Sequence, residues 1–268
     1  MGDDVIESQK PKLPELLGFR EGVSSVHTSR TMMLAEVSLV LEHVGKNAKA
    51  EEYLAAIVDH NVLGKPTQTT RKRSAQRLVE LYSLDQGRAV FRLLRHFWSA
   101  DESARPMLAF LAAAARDPLL RESTPFVVAI PMGTTVDSAQ ITNYLTGKYP
   151  ARFKPTTLRS TAQNLASSWT QAGFLTGKLN KKRTHPVVSS VVVTYALLLG
   201  YLCGIRGKML LDTIWTRMLD RTSAEIADLA TDASKQGWMS YKAAGSVVEI
   251  TFPGLLTPQE EKASYEPN

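Results

Sequence analysis

Residues 153–186, FKPTTLRSTAQNLASSWTQAGFLTGKLNKKRTHP, decide the fold class. Leu158, Ala162, Leu165, Trp169 and Ala172 recur at steps of four, three, four and three, so at about 100° per residue they share one face of a helix over 155–173. The opposite face carries Thr156, Ser160, Gln163, Ser167 and Gln171, with Arg159 on one flank and Asn164 on the other side. Gly173 suits a helix C-cap, residues 174–179 resume as a strand, and NKKRT at 180–184 reads as a ribbon tip. A helix with a small polar face, followed at once by a basic β-ribbon, predicts a winged helix-turn-helix.

Charge around this stretch is one-sided. Between Asp137 and Asp212 there is no carboxylate, while Lys148, Arg152, Lys154, Arg159, Lys178, Lys181, Lys182, Arg183, Arg206 and Lys208 all fall inside the interval. The whole chain, at +6 with a pI near 9.4, favours an anionic partner only weakly. Concentration of the cations in one acid-free segment points to phosphates, and so to double-stranded DNA. A helix in the major groove reads bases through its N-terminal turns, where Arg pairs with guanine, Gln with adenine, and Ser or Thr with base or phosphate. Thr156, Thr157, Arg159, Ser160 and Gln163 are of these types, and Lys154 and Lys178 extend the set. Lys181, Lys182 and Arg183 are placed to enter a minor groove or touch the backbone. The same helix face also suits a solvated surface, and the ribbon tip a merely soluble turn.

Other chemistries find less support. His27, His43, His60, His96 and His185 lack metal-ligand spacing, and the single cysteine, Cys203, excludes an intramolecular disulfide and a cysteine-rich zinc site. Gly64-Lys65, Gly147-Lys148, Gly177-Lys178 and Gly207-Lys208 lack the upstream glycine and following Ser or Thr of a phosphate loop. No catalytic residue, cofactor, metal or small-molecule substrate is expected. RNA binding is disfavoured, because no aromatic sheet platform or glycine-rich clamp is visible. The four tryptophans read as core. The run VVSSVVVTYALLLGYLC, 187–203, is short for a membrane span and holds Ser, Thr and Tyr, so a buried helix and no membrane partner are expected. The acidic, proline-containing start is unlike a signal peptide, and a cytoplasmic location follows as the simplest reading.

Along the chain, periodic apolar positions predict helices over 24–44, 48–62, 65–82, 84–100, 99–115 and 117–130. Over 65–82 the residues Thr69, Arg73, Gln76 and Arg77 face away from Leu78, Leu81 and Tyr82, so this basic helix completes a helix-turn-helix without strands. Ser99 with Glu102, and Thr222 with Glu225, have the spacing of capping boxes. Residues 138–145, 187–203, 208–219 and 223–236 are further helices, and 238–241 and 247–252 are strands around Ala244-Gly245-Ser246. This last unit repeats the winged plan, but Glu225, Asp228 and Asp232 line its helix and would repel phosphates. It therefore suits a protein partner, which leaves a protein–protein adaptor as an alternative function.

The expected class is mainly α: a helical bundle with helix-turn-helix elements, plus one or two winged-helix units with short β-ribbons. Its expected parts are a flexible arm (1–23), an all-α helix-turn-helix domain (24–132), a central winged helix-turn-helix (133–205), a C-terminal winged-helix-like segment (206–256) and a flexible tail (257–268).

Three blocks, SRTMMLAEVSLVLEHV (29–44), TTRKRSAQRLVELY (69–82) and FKPTTLRSTAQNLASSWTQAGFL (153–175), together resemble the BrxA family, helical components of bacteriophage exclusion (BREX) systems. The resemblance implies an all-α protein carrying helix-turn-helix elements, able to bind DNA and encoded with a phage-defence operon. The expected function is that of a non-enzymatic DNA-binding component of a BREX system, with other BREX proteins as further expected partners. It points at Arg71, Lys72, Arg73 and Arg77 in the second block and at Thr156, Thr157, Arg159 and Gln163 in the third.

Overall fold

Two segments without a charged face form the centre around which the rest packs. RPMLAFLAAAAR and SVVVTYALLLGYL are apolar on all sides, and a helix of that kind is stable only when other elements surround it. In the computed structural model, which describes residues 15–178 and 180–265, these are the helices Arg105–Arg116 and Ser190–Leu202, buried from Met107 to Ala115 and throughout, respectively.

In chain order the helices ahead of the first strand are α1 (Leu34–His43), α2 (Ala50–Val58), α3 (Gln68–Tyr82), α4 (Ala89–Phe97), α5 (Arg105–Arg116), α6 (Pro118–Glu122) and α7 (Thr124–Val128). Strand β1 (Thr135–Val136), helices α8 (Ser138–Lys148) and α9 (Pro155–Gln171), and strands β2 (Leu175–Thr176) and β3 (Lys181–Arg183) follow. The last part holds α10 (Ser190–Leu202), α11 (Ile214–Arg217), α12 (Ser223–Lys235), β4 (Ser240–Ala244), β5 (Val247–Thr251) and α13 (Pro258–Tyr265). The protein is thus mainly helical, with two small antiparallel sheets of order β1-β3-β2 and β4-β5. Among the described residues, no helix is long and apolar enough to cross a membrane.

Most expected helices form, and local chemistry accounts for the differences. The helix expected over 24–44 begins only at Leu34, because a 3-10 turn at Val26–Thr28 and a left-handed Met33 (φ 55°) precede it. The helix expected over 117–130 is split at Ser123 into α6 and α7. Pro125, in the first turn of α7, has no N–H to continue the ladder from α6. Asp101, not Ser99, caps the turn that leads into α5, accepting from Ser103 N at 2.9 Å. The other predicted box does form: Thr222 Oγ1 accepts from Glu225 N at 3.2 Å and Glu225 Oε2 from Thr222 N at 2.8 Å.

The two ends also depart from the flexible arm and tail expected for them. Residues 1–14 and 266–268 lie outside the described residues. From Glu15 onward the arm is docked, with Leu17 and Phe19 buried and Phe19 tilted against Trp215 at 5.6 Å. Helix α13 occupies the expected tail and is held by Arg92 Nη2, 2.5 Å from Glu260 Oε2, and by Tyr201 Oη donating to Glu261 Oε2 at 3.1 Å. Polar composition misleads at both ends because a few anchors there bury against the bundle.

One hydrophobic cluster runs through residues of all these segments. Trp169 of α9 lies 4.6 Å from Phe110 of α5 and 4.6 Å from Phe174, so α9 is welded to the bundle before the ribbon starts. Trp98, Trp169 and Trp215 are core residues, as expected, and Cys203 is buried.

Candidate nucleic-acid interface

Strand β1, helices α8 and α9, and the β2–β3 hairpin fold as one unit, with β3 central and antiparallel to both neighbours. Asp137 starts α8 with a capping box, accepting from Gln140 N at 2.9 Å, and Pro155 opens α9 in its first turn. At the other end of α9, Gly173 takes φ 89° and turns the chain into β2.

Burial settles which face of α9 is free. Lys154, Thr156, Arg159 and Gln163 are exposed, and Thr157 and Ser160 are half-buried, with Ser160 Oγ donating to Thr157 O at 2.9 Å. Asn164 and Gln171, expected toward solvent, instead serve the bundle: Asn164 Nδ2 donates to His27 O at 2.9 Å, and Gln171 Oε1 accepts from Leu34 N at 3.1 Å. The open surface is therefore the N-terminal half of α9, the part from which a groove-bound helix reads bases.

The ribbon differs from its sequence reading. Lys181, Lys182 and Arg183 lie within strand β3 instead of at the tip, which Gly177, Lys178 and Asn180 contribute. Alternation in a strand sends Lys182 to one face and Lys181 and Arg183 to the other. Lys182 projects beside its exposed cross-strand neighbours Thr135 and Thr176 and is itself exposed. Lys181 turns toward α9, where Nζ donates to Thr170 Oγ1 at 2.8 Å, and burial holds its ammonium below the ordinary lysine value. Thr156, Gln163 and Thr170 are spaced by seven residues and so share a stripe, which joins the ribbon to the exposed face of α9.

Arg183 is not available to a ligand. It is buried, its Nε donates to Val127 O at 3.0 Å, and its guanidinium lies 5.2 Å over the Phe174 ring. Its Nη2 is 2.8 Å from Asp220 Oδ2, too oblique for a hydrogen bond but close enough for charge pairing. An acid-free interval in sequence is therefore not acid-free in space. Arg152 is likewise spent, stacked between Tyr149 (4.6 Å) and Phe153 (4.8 Å), as is Arg206 against Tyr201 (3.5 Å) and Tyr265 (4.4 Å). Lys148 pairs with Glu122 at 3.0 Å.

Helix α3 divides in the same way. Its start is well made, with Thr67 Oγ1 accepting from Thr70 N at 3.2 Å. Lys72 and Arg73 are exposed. Arg71 instead braces the preceding loop through Lys65 O (3.3 Å) and Val58 O (3.4 Å), and Arg77 pairs with Glu80 at 2.7 Å.

Beneath α9 lies a polar row whose parts the sequence does not connect. Asp117 Oδ2 is 3.1 Å from His27 Nδ1, and His27 Nε2 is 2.9 Å from Ser168 Oγ on α9. Burial alone would raise the Asp117 carboxyl, but the His27 charge and hydrogen bond, with donors from Leu120 and Ser25, hold it down at about 2. The order Asp-His-Ser has the form of a nucleophile with its base, yet all three groups are buried, and Ser168 Oγ already accepts from Met32 N and donates to Asn164 O. The row pins α9 to the bundle. Among the described residues, no His, Cys, Asp and Glu cluster could hold a metal ion.

Comparison with protein-family models matches residues 24–129 to the BrxA family. The match bears out the resemblance drawn from the sequence over its first two blocks and supports a component of a BREX phage-defence system. The third block, in α9, lies beyond the matched residues. A comparison with curated proteins found no match.

Proposed function

We propose that the chain is a non-enzymatic, cytoplasmic DNA-binding component of a BREX system, in which β1, α8, α9 and the β2–β3 ribbon act as a winged helix-turn-helix. The supporting observation is the set of exposed cations, Lys154 and Arg159 at the free N-terminal half of α9 and Lys178 and Lys182 on the ribbon that follows the helix, none with an ion-pair partner among the described residues. Arg159 and Gln163 are the base-reading candidates, while Lys154, Lys178 and Lys182 hold phosphates. Lys72 and Arg73 of α3 provide a second, weaker contact.

Binding of duplex DNA is measured over a range of salt, where log K falls by about 0.9 for each phosphate neutralised per unit of log salt. Replacing Lys178 and Lys182 by Gln removes two cations without touching the core and is expected to flatten the slope by roughly 1.8. Undetectable binding at low salt, or an unchanged slope in the double variant, overturns the proposal. A second reading, a protein adaptor, draws on the exposed Glu225, Asp228 and Asp232 of α12. Retention of BREX partners by a protein that does not bind DNA would favour it.

A further inference from the structure

On a different part of the molecule, the loop between α1 and α2, helix α4 and the connection from α12 to β4 enclose a cleft of about 680 Å³. Lys46, Arg92, Arg95, His96 and Trp238 line it, and no carboxylate does. Arg95 is the telling member. It is only 6% exposed and donates through Nη2 to Val44 O at 2.7 Å, but its buried Nε has no hydrogen-bond partner. A desolvated guanidinium without a counter-charge is costly, and an anion in the cleft that Arg95 lines reduces that cost.

The neighbours add charge and shape. Arg92 is partly neutralised by Glu260 at 2.5 Å, whereas Lys46, exposed at the rim, and Arg95 have no carboxylate within ion-pair distance among the described residues. Burial, together with the charges of Arg92 and Lys46, holds the His96 imidazole below its ordinary value, so near pH 7 the ring is neutral and offers a hydrogen bond. Trp238 stands edge-on to His96 at 6.1 Å and to Phe97 at 5.7 Å, with Nε1 donating to Gln236 Oε1 at 3.0 Å. The result is a fixed aromatic wall beside two uncompensated cations. A carboxylate brings one negative charge to these two cations, while a phosphate ester brings up to about two, spread over three oxygens, and can carry a planar group to the wall.

We propose that this cleft binds a nucleotide, its phosphates accepted by Lys46 and Arg95 and its base lying against Trp238. The inference is independent of DNA binding at α9.

Calorimetric titration of the full chain with ADP, adenosine and inorganic phosphate tests it. ADP is expected to bind saturably at one site and tighter than either fragment. Lys46→Glu, at an exposed position, is expected to leave the melting temperature unchanged and weaken ADP by roughly tenfold or more. Trp238→Leu should weaken ADP and leave the phosphate response alone. Arg95→Gln is informative only if it folds, and the other two variants do not depend on it. No saturable ADP binding, full affinity in Lys46→Glu, or phosphate alone binding as tightly as ADP each overturns the proposal. So does displacement of ADP by duplex DNA that Lys46→Glu abolishes, which would assign the cleft to a DNA backbone.

Discussion

Arg183→Ala separates a structural cation from a binding one. The side chain is wholly buried, paired with Asp220, donating to Val127 O and packed over Phe174. Truncation leaves the Asp220 carboxylate, 12% exposed, with His185 Nδ1 at 2.8 Å as its remaining ion-pair partner among the described residues, and it removes one of the two donors to Val127 O, the other being Ile130 N at 3.2 Å. Removing one partner of a buried pair costs about 3–5 kcal/mol, most of it the penalty on the charge left behind. For a chain of this size that corresponds to a fall in melting temperature of roughly 10 °C. Urea denaturation measures the stability loss, and DNA titration at a temperature where the variant is folded measures binding. The expected result is a large stability loss with DNA affinity close to wild type. A stability loss under about 1 kcal/mol together with a large loss of DNA affinity would show that Arg183 is a contact and refute its assignment to the core.

Three further outcomes follow from the same packing. The Asp117 carboxyl is held at about 2, below its ordinary 3.8, so its share of stability, about 2 kcal/mol, is complete above the ordinary carboxylate range and is lost as pH falls from about 4 to about 2. Urea denaturation of the wild type and Asp117→Asn across that range should show their difference shrinking, and a constant difference would contradict the role given to the pair. Gly177 has φ 101°, and a Cβ there would sit 2.6 Å from Asn180 O, so Gly177→Ala should cost about 1 kcal/mol or more and, if the ribbon holds DNA, weaken binding. Thr67→Ala removes the cap of α3 and is expected to cost about 1 kcal/mol by thermal or urea denaturation, with no loss if the cap is fully replaced by water.

Much of the helical plan was legible because it rests on local rules. The step of Leu158, Ala162, Leu165 and Trp169 places α9, the Thr222–Glu225 spacing starts α12, and the mostly apolar 187–203 run supplies the buried helix α10. The site was legible only in part. Exposure of Lys154, Thr156, Arg159 and Gln163 follows from helix periodicity, but Arg183 looked like its neighbour Lys182 until Asp220, 37 positions later in the chain, came to face it. The Lys46–Arg92–Arg95 cleft is not legible in the sequence because its cations come from a loop and a distant helix and its aromatic wall from a third segment.

By itself the sequence determined that this is a mainly helical protein with apolar central helices, a small-polar helix followed by a basic ribbon, and a stretch similar to BrxA. These properties depend on spacing along one strand or one helix. Tertiary structure alone decided which cations stay free, which carboxylates neutralise the others, and that His27, Asp117 and Ser168 meet under α9. A charge acts on whatever is near it in space, and distance along the chain carries no record of that.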